Sequence, residues 1–194
     1  MSLTGLILSG GKSGRMGHDK ALISYHGKSQ REYLFEVLSR FCQRVYISCK
    51  EGTDVPADLS PLYDQFPIES PLNGILSGME RHPDSALLTV PVDMPMINDS
   101  SVLHLLSHRD TNCYATCFYD SEGKYPDPLF CIWETHCFSK LAAFYDRGGI
   151  SPRKFLLDHP TKLLTPLKDL GRNINTPEEL NQYWKEFGGG HLSA

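Results

Sequence analysis

Apolar positions along the chain fall into short runs separated by stretches with helical spacing. Leu3–Leu8, Val45–Cys49 and Ala86–Val90 are three such runs. Runs of this length without regular polar alternation predict strands buried on both faces. Between them, Ser29-x-x-Glu32 predicts a capping box opening a helix that runs to Phe41, with Leu34, Val37, Leu38 and Phe41 on one stripe. Pro71–His82 reads as a second helix, and Asn98 as the cap of a third that carries Val102, Leu105 and Leu106. Tyr114–Tyr119 and Pro128–Trp133 predict two strands around the turn Ser121-Glu122-Gly123-Lys124. Thr135 reads as the cap of a helix to Tyr145, and Ser151-Pro152 as the start of a short one, with proline where its missing N–H is harmless. Thr176-Pro177-Glu178-Glu179 combines a cap, a first-position proline and a third-position glutamate, a strong helix start. The glycine-rich end, residues 188–194, reads as a mobile tail behind one domain spanning residues 1–187.

Strand alternating with helix implies an α/β protein, a mainly parallel sheet covered on both faces. The two later strands, joined by a tight turn, add an antiparallel element. In such sheets ligands gather at the carboxyl ends of the strands. Two loops occupy that position: residues 9–22 after the first strand, and Pro91-Val92-Asp93-Met94-Pro95 after the third.

Composition narrows the function. The 194 residues carry a formal net charge of −4, which argues against nucleic acid held on a broad basic face. No apolar run approaches the roughly 18 residues of a membrane span. The N-terminus enters a strand pattern at once with no leader-like segment, so a cytoplasmic location is expected. The six cysteines include no C-x-x-C pair and the eight histidines form no H-E-x-x-H, so reduced buried thiols are expected rather than a cysteine or histidine metal centre.

The stretch LILSGGKSGRMGHDKAL, residues 6 to 22, holds four glycines and three Lys or Arg residues. Each glycine raises the entropy cost of ordering the loop, and a bound phosphate would explain that composition, because backbone N–H groups approach an anion closely only where no Cβ intervenes. An ATPase P-loop is excluded: G-x-x-x-x-G-K-[ST] needs glycine where Leu6 stands. A dinucleotide fingerprint fails too, since the glycines at 11, 14 and 17 are evenly spaced and no acidic residue ends the second strand. Gly10 and Gly11 can instead bend the backbone around a triphosphate, with Arg15 and Lys20 neutralising it.

L-S-G-G-K-S-G-R-M-G-x-D-K-A-L resembles the signature loop of the MobA-like nucleotidyltransferases. Three further marks follow in order: DQFPIESPLNGI at 64–75 is similar to the family's D…GPLxGI, PVDMP at 91–95 resembles P-x-D-x-P, and NINTPEE at 173–179 resembles N-x-N-T-P-E-E. The resemblance runs from residue 3 to about 187. The paired glycines after the strand resemble the molybdenum cofactor guanylyltransferases, whereas CTP-using relatives more often read A-A-G. The resemblance implies a three-layer αβα architecture with a mainly parallel, Rossmann-like central sheet of the nucleotide-diphospho-sugar transferase type. It also implies an activity: GMP transfer from GTP to the terminal phosphate of molybdopterin, assisted by Mg²⁺.

Phosphoryl transfer of this kind needs positioning and charge neutralisation rather than a nucleophile–base pair, and none is evident. The resemblance makes Asp93 the magnesium ligand, consistent with the metal's preference for a carboxylate plus phosphates and waters. Arg15 and Lys20 would hold the triphosphate beside Asp93 as the catalytic set. Leu8, Ser9, Gly10 and Gly11 would give backbone contacts, with Lys12 and Ser13 as further phosphate contacts and Asp19 orienting the loop. Ser48, Asp64 and Gly74 would complete the nucleotide side. Asn173 and Asn175 alternate, so they share a face if the segment is extended, and would meet the pterin. Two departures touch base selectivity: Ser70 stands where the family has glycine, and Ser48 where it often has asparagine. Three alternatives stay open: CTP as donor, a sugar or alcohol phosphate as acceptor, and a non-catalytic nucleotide-binding module. A molybdenum-insertion protein or an apo-molybdoenzyme is a partner implied by the family alone.

Overall fold

The computed structural model describes residues 2–9, 20–168 and 170–188. Seven strands form one sheet: β1 (Leu3–Leu8), β2 (Arg44–Cys49), β3 (Pro61–Tyr63), β4 (Ala86–Pro91), β5 (Ala115–Tyr119), β6 (Pro126–Trp133) and β7 (Thr161–Leu164). Their spatial order is β3-β2-β1-β4-β6-β5-β7. Neighbours pair in parallel except at β6, which runs antiparallel to both β4 and β5. Among the described residues six α-helices accompany them, the last following β7: α1 (Gln30–Ser39), α2 (Pro71–Arg81), α3 (Asp99–Ser107), α4 (Phe138–Asp146), α5 (Pro152–Asp158) and α6 (Pro177–Phe187).

The unbroken apolar runs become β1, β2 and β4, and β1 and β4 are buried at every position. Alternate side chains go to opposite layers. Leu3, Ile7, Ile47 and Leu88 pack with Leu34, Val37 and Leu38 of α1 and Val102 and Leu105 of α3. Leu6, Leu8, Leu87 and Trp133 pack with Leu72, Ile75 and Leu76 of α2, Leu141 of α4 and Phe155 of α5. The fold is therefore a three-layer α/β structure. A third cluster joins α6 to the chain after the glycine loop: Leu180 and Tyr183 bury against Ile23 and Ile174.

The caps at Ser29, Asn98, Ser151 and Thr176 form with side-chain acceptors as the sequence predicts. Thr135 does not cap: a short 3₁₀ turn starts at Glu134 without a side-chain cap and leads into α4. That carboxylate is committed elsewhere, to Arg109. The edge strands β3 and β7, of three and four residues, carry too few side chains to announce themselves by periodicity. Among the described residues no helix is long and apolar enough to cross a membrane.

Candidate functional site

The site forms at the carboxyl ends of β1, β2 and β4. Parallel pairing brings Leu8 level with Ser48 on one side and with Pro91 on the other. The Ser9 N–H donates to the Ser48 carbonyl at 3.2 Å, and the Val92 N–H to the Leu8 carbonyl at 3.4 Å. The loop after β4 is pinned from two further directions. Ile174 N–H donates to the Asp93 carbonyl at 2.8 Å, and His26 Nε2 donates to the Pro95 carbonyl at 3.0 Å. Asp93 is thus held by the chain entering α6 as well as by the sheet.

Lys20 and Asp93 meet across this edge, with Nζ 3.5 Å from Oδ2 and side chains 19% and 21% exposed. Lys20 Nζ also donates to Asn175 Oδ1 at 2.6 Å. Asn175 in turn is fixed by Glu179, whose Oε2 accepts from the N–H groups of Asn175 at 2.6 Å and Thr176 at 3.0 Å. The capping box at the start of α6 is therefore also the mount for a site side chain. Asp93 Oδ1 is buried and meets no hydrogen-bond partner among the described residues. Burial pushes the Asp93 carboxyl above the ordinary carboxylate range, and the Lys20 ammonium opposes that shift without cancelling it.

On the β2 side, Ser48 Oγ donates to Asp64 Oδ1 at 2.8 Å. Burial raises the Asp64 carboxyl although this hydrogen bond favours its anion. Gly74 of α2 lies directly against the pair: an added Cβ would overlap Ser48 Oγ and come within 3.1 Å of Ser48 Cβ and Leu8 Cδ2. The absent side chain is what lets helix and strand approach here. Asn73, not anticipated from the sequence, anchors the loop between Asp64 and α2. Its Oδ1 accepts from the Phe66 N–H at 3.0 Å, and its Nδ2 donates to the carbonyls of Phe66 and, at 3.2 Å, Ile68. Ser70 caps α2 and donates to the Ile150 carbonyl at 2.5 Å. Its backbone is extended, which any residue adopts, so glycine is not required at this position.

Two cavities lie along the segment that carries Asn173 and Asn175. One, of about 540 Å³, is lined by Ser121, Pro166, Leu167, Arg172, Asn173 and Asn175 among others. The second, of about 410 Å³, is reached past Ser121, Gly171 and Asn173 and includes Pro71, Asp127 and Arg153. Asn173 and Asn175 line the first cavity together, as their alternation predicts, and Asn175 additionally holds Lys20. The structure thus brings Lys20, Asp93 and Asn175 into contact and sets Leu8, Ser48, Asp64 and Gly74 as a second group next to them. Gly10, Gly11 and Arg15, with Lys12, Ser13 and Asp19, lie outside the described residues. Sequence reasoning missed Asn73, Glu179 as a mount, and Asp127. Only the Thr-x-x-Glu box signalled any of the three, and it signalled a cap.

A mainly parallel sheet between two helix layers, with a lysine–aspartate pair at its carboxyl edge, defines an α/β protein whose ligand site lies at the strand ends. The comparisons agree. Residues 5–163 match the family model of the MobA-like NTP transferase domain, and the chain belongs to that family. It is 31% identical over 186 residues to a molybdenum cofactor biosynthesis bifunctional protein of Synechocystis sp., covering 93% of this chain and 53% of that longer protein. It is 29% identical over 187 residues to a molybdenum cofactor guanylyltransferase of Vibrio atlanticus, covering 92% and 93% of the two chains. Among solved structures, molybdopterin-guanine dinucleotide biosynthesis protein A of Archaeoglobus fulgidus superimposes with a TM-score of 0.77 at 19% identity over 94% of this chain and 97% of that one. A 2-C-methyl-D-erythritol 4-phosphate cytidylyltransferase of Thermus thermophilus gives 0.67 at 14% identity, over 93% and 96% of the two chains. The two superpositions establish the shared fold.

Proposed function

We propose that this protein transfers GMP from GTP to the terminal phosphate of molybdopterin, releasing pyrophosphate. The observation that carries the proposal is the Lys20–Asp93–Asn175 cluster at the sheet edge, with one Asp93 oxygen buried and unpartnered among the described residues. A desolvated carboxylate oxygen without a donor is costly unless something positive completes it. That supports a divalent cation at Asp93 Oδ1, and an oxygen donor beside a triphosphate suits Mg²⁺. Among the described residues no three His, Cys, Asp or Glu side chains converge, so the remaining ligands would come from phosphate and water. When bound, the ion would supply positive charge against the α-phosphate.

The protein's own groups do the rest. The acceptor phosphate is already ionised, so its oxygen can attack the α-phosphorus in line without a general base. The new P–O bond forms as the bond from the α-phosphorus to the α,β-bridging oxygen breaks, and the electron pair leaves with pyrophosphate. Lys20 has three N–H donors. One is held by Asn175 and one faces Asp93, which leaves a third for the triphosphate. Arg15 would add a second cation on the glycine loop. Ser48, Asp64 and Gly74 flank the β2 side and would take the nucleoside, while Asn173 and Asn175 face the acceptor cavity. A role for Leu8, Ser9, Gly10 and Gly11 in backbone contacts to the nucleotide completes the reading, as does a cytoplasmic setting.

The named relatives support guanine rather than cytosine as the base. With molybdopterin and Mg²⁺, GTP should release pyrophosphate at least about tenfold faster than ATP, CTP or UTP. Faster turnover with CTP would replace the guanylyl assignment with a cytidylyl one, and no turnover with any of the four would remove it.

A further inference from the structure

β6 runs antiparallel to β4, so its first residues lie at the same sheet edge as the last residues of β4. The β4–β6 register pairs Leu87 with Trp133 and Thr89 with Cys131. That direction brings the start of β6 toward the loop after β4, and the Asp93 charge is felt at Asp127. Asp127 lies there between Pro126 and Pro128, neither of which has an N–H to donate. Its Oδ1 accepts from the Leu129 N–H at 2.9 Å. Its carboxylate lines the 410 Å³ cavity, whose rim carries Arg153 and Asp120 in a 3.6 Å ion pair. Burial raises the Asp127 carboxyl, opposed by Leu129 N–H and then Arg153, with the Asp93 charge a lesser contribution upward. The mechanism above gives this half-buried acid no role.

The geometry points to Asp127 as the acceptor-side specificity residue, taking the N–H donor edge of a flat heterocycle seated in the cavity it lines. The inference rests on the proposed transfer to molybdopterin and names the group that reads the acceptor. Three considerations converge. On the proposed reading Ser48, Asp64 and Gly74 take the nucleoside on the β2 side, which leaves the β6 side for the acceptor. The two cavities meet at Ser121, Gly171 and Asn173, giving one lobe next to Lys20 and Asn175 for a phosphate and a second, with Asp127, for the body of the molecule. Finally, an ionised carboxylate only accepts, and a 2-amino-4-oxopyrimidine edge presents adjacent N–H donors in one plane.

The backbone makes this testable. The Leu129 N–H needs an acceptor, so in Asp127→Asn the amide oxygen stays there and the NH₂ turns to where the second carboxylate oxygen was. Donor then meets donor. Asp127→Ala removes the reader without opposing the ligand. The expected order of acceptor KM is wild type, then Ala, then Asn, with Asn raised roughly 10- to 100-fold and the GTP KM unchanged in both. A merely structural role predicts the reverse, because Asn keeps the backbone acceptor and Ala loses it. A result in that order, or an unchanged acceptor KM in Asp127→Asn, overturns the inference while leaving guanylyl transfer standing. Wild-type protein inert toward molybdopterin removes both. A second measurement needs no variant: the pterin nucleus alone, lacking any phosphate, should inhibit the wild-type enzyme competitively with molybdopterin, and absence of competition also overturns the inference.

Discussion

Two ion pairs stand at opposite edges of the sheet and are built in opposite ways. Arg109 and Glu134 meet below β6, with Nε and Nη2 donating to Oε1 and Oε2 at 2.6 and 2.7 Å. Both carboxylate oxygens are used, and Glu134 is almost fully buried. Lys20 and Asp93 meet above β1 and β4 at 3.5 Å, and one aspartate oxygen has no side-chain or backbone partner among the described residues. The first pair is saturated, so it ties the end of α3 to β6 and has nothing to offer a ligand. The second is incomplete in a desolvated setting, and an incomplete buried carboxylate is where a ligand gains most by binding. Geometry separates the staple from the site. The residue types alone do not.

The sharpest break of this contrast is Asp93→Asn. Transfer should fall on the order of 10²-fold or more, measured by pyrophosphate release. The fold should not suffer. Burial raises the Asp93 carboxyl, so the folded state holds its proton more tightly than the unfolded state does. The folded wild type therefore loses stability as pH rises from the ordinary 3.8 through the raised value. The Asn variant should melt higher than wild type at neutral pH, with the gap closing as pH falls to that ordinary value. A variant that melts lower at neutral pH would make Asp93 part of the frame. Glu134→Ala should do the opposite, costing about 3 kcal/mol in denaturant unfolding by stranding Arg109. Its kcat and KM below the melting range should match wild type, and a changed KM for GTP would tie the far edge to the site. Gly74→Ala has the smallest expected effect. The added methyl displaces Ser48 from Asp64, so the KM for GTP should rise about tenfold, and Ser48→Gly in the same chain should relieve the overlap, restoring the melting temperature while the KM stays raised. No relief would mean that the tight approach of α2 to β2 serves packing alone.

Much of the frame was legible because burial leaves a local mark. An apolar run of five or six residues has one economical fate, a strand covered on both faces; β1 and β4 follow it throughout, and β2 does so apart from its exposed Arg44 and half-buried Tyr46. Caps are local too, and Ser29, Asn98, Ser151 and Thr176 could be read from four residues each. Thr135 misled for the same reason: its neighbour Glu134 answers to Arg109, 25 positions away. The β3 and β7 edges exist only through pairing with a neighbour, so three or four residues give no pattern of their own.

By itself the chain's order of residues determined the class of fold, the loops that end at one edge, and the lysine and aspartate that those loops carry. The sheet order decided the rest. Lys20 and Asn175 are 155 positions apart, and Ser48 and Asp64 are joined only because β2 and β3 run side by side. Asp127 comes to lie at the same sheet edge as the loop after β4 because β6 enters the sheet in reverse. Periodicity records which side chains are buried. Which buried groups meet is settled by strand adjacency and direction, and those belong to the folded sheet as a whole.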